Sequence, residues 1–303
     1  MKVLITGGAG FIGSHLADKL IKRKDKVYII DNFATGREDN IPKEAKLFNM
    51  SIVDTSEVAI TIGIIKPDII IHAAASYKDP EDWYTDSLTN TFGTTNILRA
   101  CKSSGCKRII YFQTSLCYGD PLTSPITLKH PIRPSNSYSI SKTAAEQYIA
   151  LSGLDFVSFR LANCYGPRNL SGPVPTFYQR LTEGKQCFVV NTRRDFVFID
   201  DLVEIVMKAI DGKGKGYYHI STGKDFSIRE LYDNVSNVLD MDVKAEERER
   251  GKDDVETILL DPGKTTDEFG FLPKTPLLDG VRAATIWYRS NPVSETFTHL
   301  KMK

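Results

Sequence analysis

Residues 2–23 read KVLITGGAGFIGSHLADKLIKR, an apolar run followed by regularly spaced glycines and a helical pattern. Gly7, Gly10 and Gly13 form GxxGxxG at the turn between the predicted strand and the predicted helix. Such a turn brings N–H groups at the start of the helix against a phosphate, which a bulky side chain would hold away. The stretch therefore predicts the start of a nucleotide-binding α/β fold, although tight strand-to-helix turns of other function use glycines too.

The second apolar run, KVYIID (26–31), ends in a carboxylate, Asp31, which is followed by Asn32. In dinucleotide-binding folds an acid at this place meets the hydroxyls of the adenosine ribose. A carboxylate there repels a 2′-phosphate, so the sequence favours NAD over NADP. The alternative is that Asp31 and Asn32 only form a turn.

Further apolar runs alternate with helical patterns through the first half of the chain. DIIIHAAA (68–75) and RIIYFQTS (108–115) are such runs, and helical patterns cover residues 56–65 and 87–103. Runs that are apolar on both faces are typical of parallel strands buried between two helical layers. We therefore predict an α/β fold with a doubly wound parallel (Rossmann) sheet.

The regular alternation weakens after FVSFRLANCYGP (156–167), where prolines and glycines cluster. We predict a nucleotide-binding Rossmann domain over residues 1–163, which the chain re-enters around 187–212. Residues 164–303 are expected to form mainly a smaller, interleaved α/β substrate-binding lobe.

Charge and composition limit the possible partners. The 303 residues include 39 basic and 38 acidic side chains, a formal net charge of +1, so we expect neither a nucleic acid nor a membrane surface as partner. The apolar run before the glycines is far shorter than a signal sequence or a membrane span, which favours a soluble, cytoplasmic protein. The five cysteines show no metal-ligand spacing, and no metal is expected.

Tyr138 and Lys142 lie four residues apart in SYSISKTAAEQYIALS (137–152), which has a helical pattern. This spacing places both side chains on one helical face. A phenol becomes a usable base when a neighbouring ammonium favours its phenolate, and the lysine can also hold a ribose. A surface tyrosine above a lysine is the alternative. Thr114, at the end of the RIIYFQT strand, is placed to bond the oxygen that loses its proton, and Ser115 is its rival for that role.

Several motifs together resemble the extended short-chain dehydrogenases of the NAD-dependent epimerase/dehydratase family over nearly the whole chain. They are TGGAGFIGSH (6–15), DNFATG (31–36), HAAA (72–75), TSLCYG (114–119), YSISK (138–142), RLANCYGP (160–167) and RRDFVFIDDL (193–202). AAASYKDPEDW (73–83) and YFQTSLCYGDP (111–121) further resemble lipopolysaccharide O-antigen sugar-nucleotide epimerases.

The resemblance implies roles for matching residues. Those implied on the cofactor are Gly7, Gly10, Phe11, Ile12, Gly13, Asp31, Asn32, Ser51, Ile52, Ala73, Ala74, Ala75, Asn90, Tyr138 and Lys142. Those implied on the nucleotide sugar are Tyr77, Lys78, Thr114, Ser115, Asn163, Arg194 and Arg250. The catalytic set is Thr114, Tyr138 and Lys142.

Alternatives remain for the charged candidates. Arg194 and Arg250 suit a diphosphate because a guanidinium can grip phosphate oxygens with two bonds. Arg194 would otherwise pair with Asp195 or Asp200, and Arg248 is an alternative to Arg250, in a charged run of the kind that is usually solvated. Lys78, with Arg168, would bind a carboxylate on the sugar, unless Lys78 pairs with Asp79 or Glu81.

Two departures from the family pattern bear on the reaction. Many relatives have Asp-Ile on the adenine where this chain has Ser51-Ile52. Dehydrating relatives have Asp-Glu after the catalytic threonine, and decarboxylating relatives have a glutamate in that stretch, whereas Ser115 and Leu116 follow Thr114 here. The interpretation is therefore an NAD-dependent sugar-nucleotide 4-epimerase, acting on a UDP-sugar through a transient 4-keto sugar.

The alternatives are a dehydratase, a decarboxylase, a 4-reductase, or a non-catalytic NAD-sensing protein. An intact Thr114, Tyr138 and Lys142 argues against the sensor. The resemblance also implies a homodimer, formed through two helices of each subunit.

Overall fold

The computed structural model describes residues 1–77, 79–251, 255–293 and 295–296. A seven-stranded sheet holds β1 (Lys2–Thr6), β2 (Lys26–Asp31), β3 (Lys46–Asn49), β4 (Ile69–His72), β5 (Arg108–Thr114), β6 (Asp155–Leu161) and a later strand, Gly216–Ile220. The order across the sheet is β3, β2, β1, β4, β5, β6 and then Gly216–Ile220. β1 lies parallel to β2 and to β4, β2 to β3, and β4 to β5. The predicted doubly wound α/β fold is confirmed.

Ten α-helices are described in the structure, and local capping residues mark the ends of some of them. They are α1 (Phe11–Lys22), α2 (Thr55–Ile65), α3 (Trp83–Asp86), α4 (Thr94–Ser104), α5 (Ser137–Leu151), α6 (Pro173–Thr182), α7 (Ile199–Ile210), α8 (Ile228–Leu239), α9 (Gly263–Phe269) and α10 (Leu277–Ser290). Asn136 begins α5 with a reciprocal pair of bonds to Ser139, and Gly105 ends α4 at positive φ. Short 3₁₀ turns cover Glu38–Asn40 and Ser115–Tyr118. In the described ranges no helix has the length and apolar character to cross a membrane.

The remaining strands form small sheets. They are β7 (Asn163–Tyr165), β8 (Phe188–Val190), β9 (Arg193–Arg194), β10 (Phe196–Phe198), β12 (Phe226–Ser227), β13 (Glu246–Arg248) and β14 (Thr257–Ile258). The strand Gly216–Ile220 of the large sheet is β11. β7 pairs with β10, β8 with β13, and β9 lies between β12 and β14.

The chain divides into two compact units. The first comprises residues 1–117, 132–160 and 203–218, and the second comprises residues 118–131, 161–202 and 219–303. In the first unit, apolar side chains of the sheet pack against α2 and α4, as Ile70 and Ile109 do with Ile62 and Ile97. Each fully buried side chain of this kind stabilises the fold by roughly 1.5–3 kcal/mol.

Arg108 joins three stretches of the first unit. Its guanidinium donates to the carbonyls of Ala209, Lys213 and Gly214 at 2.8–3.0 Å, and its Nε donates to Asp155 at 2.6 Å. One side chain at the start of β5 thus fastens both the start of β6 and the end of α7.

Candidate active site

The glycine turn after β1 leaves no room for side chains. Gly7 has φ +72°, and a Cβ on it would lie 2.6 Å from the backbone nitrogen of Ala74. A Cβ on Gly13 would lie 2.2 Å from the carbonyl oxygen of Gly7. α1 begins after Gly10 with no side-chain cap and no acidic residue in its first turn, which contains Phe11 and Ile12. The N–H groups at this helix end therefore face a bare backbone cradle, which suits an anionic pyrophosphate.

Asp31, at the end of β2, is buried and held by backbone donors. Its Oδ2 accepts the N–H of Ala9 at 2.9 Å and its Oδ1 accepts the N–H of Phe33 at 2.8 Å. Burial raises the pKa of this carboxyl, and the backbone hydrogen bonds oppose that rise. Each oxygen keeps a further lone pair, so the carboxylate can also accept ribose hydroxyls. Asn32 beside it is exposed.

Asn40 and Thr35 also belong to this region, although no role for either of them was predicted from the sequence. The Asn40 amide is buried and donates to the carbonyl of Ala9 at 3.0 Å, which fixes the 3₁₀ turn to the glycine loop. Thr35 forms a side-chain hydrogen bond with Tyr77. These contacts hold the segment after Asp31 against the glycine turn.

The other predicted cofactor contacts lie around the ends of β1, β3 and β4. The N–H groups of Ala73 and Ala74 donate to the carbonyl and the hydroxyl of Thr6, at 3.0 and 3.3 Å, and Ala75 is half-buried. Ser51 accepts the N–H of Val53, whereas Ile52 is buried in the core. The first unit thus provides a continuous edge along the carboxyl ends of neighbouring strands.

A buried chain of hydrogen bonds links β1 to the segment after α3. Thr6 Oγ1 lies 2.6 Å from His72 Nδ1, His72 Nε2 lies 2.8 Å from Thr94 Oγ1, and Thr94 Oγ1 donates to the carbonyl of Asn90 at 2.5 Å. That last acceptor is a carbonyl, so Thr94 accepts from a protonated Nε2. Burial, and then the charge of Lys142, lower the pKa of His72 to about 3. His72 is therefore neutral, and its Nδ1 accepts from Thr6.

Asn90 lies in a π-helical turn, Ser87–Gly93, between α3 and α4. Its amide oxygen accepts the N–H of Ser76 at 2.8 Å, and its amide nitrogen donates to the carbonyl of Ser76 and to Ser141 Oγ at 2.9 and 3.0 Å. Extra-residue turns of this type occur often at functional sites. Asn90 thereby fixes the loop after β4 to the helix that carries Tyr138 and Lys142.

Tyr138 and Lys142 lie on the inner face of α5. The ring of Tyr77 meets that of Tyr138 at 6.2 Å between centroids, and the Lys142 ammonium lies 4.0 Å from the centroid of the Tyr111 ring. Burial, then Tyr77 and then Asp86 raise the pKa of Tyr138. Burial lowers the pKa of Lys142 to about 7. The two groups are thus displaced towards their neutral forms, so ionisation of Tyr138 depends on positive charge brought close to it.

Thr114 ends β5, directly beside α5. Gln113 reaches Thr143 at 3.5 Å, and the Tyr111 hydroxyl donates to the carbonyl of Lys142 at 3.0 Å, so the helix is fastened to the strand. Thr114 Oγ1 accepts the N–H of Leu116 at 3.2 Å. Ser115 is buried. The structure thus brings the strand end and the Tyr–Lys helix together within the first unit.

The remaining predicted residues belong to the second unit. Asn163 is exposed, and its N–H donates to the carbonyl of Asp195 at 3.0 Å. The buried Asp195 carboxylate accepts from Ser221 and Thr222, and burial raises its pKa to about 6. Its hydrogen bonds therefore hold the end of β11 to the RDF segment.

Arg194 and Arg250 come together at Glu256. Arg194 Nη1 donates to the carbonyl of Glu256 at 3.2 Å, and Arg250 Nη2 lies 3.9 Å from its carboxylate. Arg248 lies over the ring of Phe188 at 3.3 Å. The two guanidinium groups that the sequence suggested as phosphate ligands therefore share one neighbour.

Of the two side chains predicted to bind a carboxylate on the sugar, the structure describes only one. Arg168 is half-buried and has φ +67°. Lys78 lies outside the described residues.

Comparisons with known proteins agree with this geometry. The model of the NAD dependent epimerase/dehydratase family matches residues 3–221. A putative UDP-glucose 4-epimerase of Methanocaldococcus jannaschii is 30% identical over 95% of this chain and 99% of its own. The Bordetella bronchiseptica enzyme WbmH, solved in complex with NAD⁺, is 50% identical with a TM-score of 0.92, over 96% of this chain and 98% of that chain.

The similarity also extends to other reactions. UDP-glucuronic acid decarboxylase 6 of Arabidopsis thaliana is 32% identical over 93% of this chain and 87% of its own length. Overall similarity therefore identifies a group of related enzymes, and the side chains around the reacting carbon must distinguish the reaction.

Proposed function

This chain belongs to the NAD-dependent epimerase/dehydratase family, and we propose that it is a UDP-sugar 4-epimerase that acts through a transient 4-keto sugar. The family is NAD-dependent, and the residues of the first unit fit that cofactor. The glycine turn suits its pyrophosphate and the Asp31 carboxylate suits its adenosine ribose. When bound, NAD supplies the group that takes up and returns the hydride of the sugar C4.

Tyr138 acts as base and acid in this proposal. Its hydroxyl removes the proton from the sugar C4 hydroxyl and returns it when the 4-keto sugar, turned over in the pocket, is reduced on its other face. Lys142 favours the phenolate through its charge and holds the nicotinamide ribose. Thr114, at the end of β5, bonds the same sugar oxygen, and Ser115 is the alternative donor.

The observation that carries the choice of reaction is the pair of residues after Thr114. Ser115 is buried, and Leu116 directs its N–H to Thr114 Oγ1. Elimination of water needs an acid and a base on neighbouring carbons, and neither a serine nor a leucine supplies a carboxyl group. A 4-epimerase needs only the proton transfer at O4, for which Tyr138 is sufficient.

The segments after residue 163 are proposed to hold the rest of the substrate. Arg194 and Arg250 would bind the diphosphate, and Asn163 would donate to it or to the sugar. The shared contact with Glu256 supports the pairing of the two arginines. We propose UDP as the nucleotide because two of the relatives compared above, the putative 4-epimerase and the decarboxylase, are named for UDP-sugars.

We also propose a cytoplasmic homodimer that acts in lipopolysaccharide biosynthesis. Support for the dimer comes from α5, whose outward side carries Ile140, Ala144, Tyr148 and Leu151 in one stripe. Ile140, Tyr148 and Leu151 are exposed there, and Leu151 is 80% exposed. Tyr138 and Lys142 lie on the other side of the helix. An exposed apolar stripe on a helix of this kind is suited to burial against a second copy.

The test is product analysis with the full-length protein and NAD. UDP-glucose, UDP-N-acetylglucosamine, UDP-glucuronate and dTDP-glucose are incubated separately and followed by mass spectrometry and proton NMR. We expect one UDP-sugar to give a product of unchanged mass with inverted C4, and the Tyr138→Phe variant to give none. Loss of water, loss of CO₂ or net reduction would identify one of the other reactions, and no turnover of the panel despite NAD binding would favour the sensing role.

A further inference from the structure

Lys142 is a buried cation with little solvent to stabilise it. Lys142 is only 3% exposed, and its ammonium lies 4.0 Å from the centroid of the Tyr111 ring. Burying a charge without compensation costs several kcal/mol or more, which displaces the group towards its neutral form. The protonated state of Lys142 therefore depends on the charges within reach.

The ionisable groups around Lys142 are mostly neutral. Tyr138 precedes it by one turn on α5, and burial raises the pKa of this phenol. Tyr111 on β5 also has its pKa raised by burial, and burial lowers the pKa of His72 on β4 to about 3, so His72 is neutral. On α3, Asp86 acts on Tyr138 rather than on Lys142.

In the described part of the chain, the π-helical turn, α4 and β5 bring no unpaired buried charge to Lys142. The π-helical turn has the sequence SLTNTFG, which contains no ionisable side chain. On α4 the cations Arg99 and Lys102 are exposed. On β5, Arg108 is paired with Asp155.

Glu146, one turn after Lys142 on α5, is the carboxylate that acts on it. The Glu146 side chain is 3% exposed and favours the ammonium form of Lys142, which opposes the lowering of the Lys142 pKa by burial. A spacing of four residues places the two side chains next to each other on the helix.

Arg160 on β6 shares the same carboxylate. Its Nη2 and Nε lie 2.8 and 3.2 Å from the Glu146 oxygens, and Ser158 Oγ donates to Oε1 at 2.5 Å. The guanidinium also lies 4.8 Å from the centroid of the Tyr217 ring. A buried cation that neutralises Glu146 weakens the attraction between Glu146 and Lys142.

We propose that Glu146 and Arg160 are positioning residues that set the proton affinity of Lys142, with Glu146 favouring the ammonium and Arg160 limiting that effect. The catalytic consequence rests on the proposed function, whereas the charge pair itself does not. Because the Lys142 ammonium supports the Tyr138 phenolate, loss of its proton defines the alkaline limit of activity.

The decisive measurement is the titration of Lys142 in the full-length protein carrying ¹³Cε-labelled lysine. The Lys142 signal is assigned by its absence from the Lys142→Met variant. We expect Glu146→Gln to lower the Lys142 pKa by about one unit, a tenfold change in proton affinity. Arg160→Met should raise it by less, because Glu146 acts on Lys142 directly and Arg160 acts mainly through Glu146. The double variant Glu146→Gln/Arg160→Met should titrate between Glu146→Gln and the wild type.

A purely structural role for the ion pair predicts a different pattern. Removing one partner would then unfold the protein or shift both single variants in the same direction, and the double variant would return to the wild-type pKa. That return would overturn the proposal even if neither single variant folds. The titration needs no substrate, so failure of the epimerase assignment leaves it intact. With a turned-over substrate, the alkaline limb of kcat should move in the same order as the Lys142 pKa.

Discussion

The ring of Tyr77 meets the ring of Tyr138 nearly edge-on, with 6.2 Å between centroids and 64° between planes. Tyr77 follows β4 and Tyr138 lies in the first turn of α5, so this contact joins the loop after β4 to that helix. Burial raises the pKa of both phenols. The proposed base therefore works where charges are poorly solvated, and small changes in nearby charge have large effects there.

Tyr138→Phe should abolish turnover while leaving NAD binding nearly unchanged, because it removes the proton acceptor and little contact surface. Loss of a general base typically costs roughly 10²–10⁴-fold in rate. End-point assays measure turnover, and calorimetric titration measures NAD binding. The matched control is Tyr148→Phe, on the outward side of the same helix, which should keep wild-type turnover. If Tyr138→Phe retains more than half of the activity, the base is another residue.

Gly13→Ala should destroy NAD binding and destabilise the fold, because the added Cβ would lie 2.2 Å from the Gly7 carbonyl oxygen. The control is Gly63→Ala in α2, where nothing lies within 4 Å of the added atom. That variant should bind NAD normally and gain about 0.5–1 kcal/mol in the free energy of unfolding. Urea unfolding and NAD titration distinguish the two, and normal NAD binding by Gly13→Ala would contradict the cradle.

NAD should bind more tightly than NADP, because the Asp31 carboxylate repels a 2′-phosphate. Asp31→Asn removes the charge but keeps the shape of the side chain. The difference between the affinities for NAD and NADP should therefore become smaller. NAD affinity should also fall, because an amide nitrogen would replace one acceptor of the Ala9 and Phe33 N–H groups. Calorimetry with both dinucleotides measures this, and equal or tighter binding of NADP by the wild type would refute the assignment.

Stability should fall with acid because His72 is neutral in the folded state. Its folded pKa is about 3, below the unfolded value of about 6.5. A lowered pKa means that the unfolded chain binds the proton first, so stability is complete above about pH 6.5 and is lost as the pH falls towards 3. At about pH 5 the loss from this group is about 2 kcal/mol.

Urea unfolding of the wild type and of His72→Gln at about pH 7.5 and pH 5 isolates that contribution. When the pH is lowered from about 7.5 to 5, the free energy of unfolding of His72→Gln should fall by about 2 kcal/mol less than that of the wild type. His15→Gln, in the half-exposed part of α1, is the control and should follow the wild type. Equal losses in the wild type and His72→Gln would show that His72 does not carry the effect.

The wild type should be a dimer in solution, and Leu151→Glu should make it a monomer. Leu151 is 80% exposed in the single chain, so the substitution costs the monomer little while placing a charge in the proposed interface. Light scattering measures the mass. Leu122→Glu, another exposed apolar position at 62%, serves as control and should stay dimeric. A monomeric wild type would exclude the proposed interface.

The sequence was sufficient to predict the sheet and the family, because both depend on local patterns. Buried parallel strands require β-branched runs such as IIIH, and a phosphate turn requires glycines at fixed spacing. The predicted sheet and the predicted family are confirmed.

Other parts of the site depend on contacts between distant residues and have no local pattern. The π-helical turn at Asn90 inserts one residue into a helical period that otherwise looks ordinary, and Asn40 lies in a polar turn. Glu146 has the sequence context of a surface position, and its burial is matched by Arg160 and Ser158, which approach it from β6. The sequence predicted that Lys142 alone would favour the ionised form of Tyr138. In the structure, burial is the largest influence on both groups, and it raises the pKa of Tyr138 and lowers that of Lys142.

The first unit is built from three separate stretches of chain, and this affects how it can form during synthesis. The stretch over residues 1–117 contains β1 to β5, but Arg108 finds its carbonyl acceptors at Ala209, Lys213 and Gly214 only after a further hundred or so residues have been made. A chain cut after residue 163 would leave those guanidinium donors without their carbonyl acceptors and β6 without its neighbour β11. The first unit is therefore a spatial unit that no single truncation can release, and its folding is completed only when the chain returns to it.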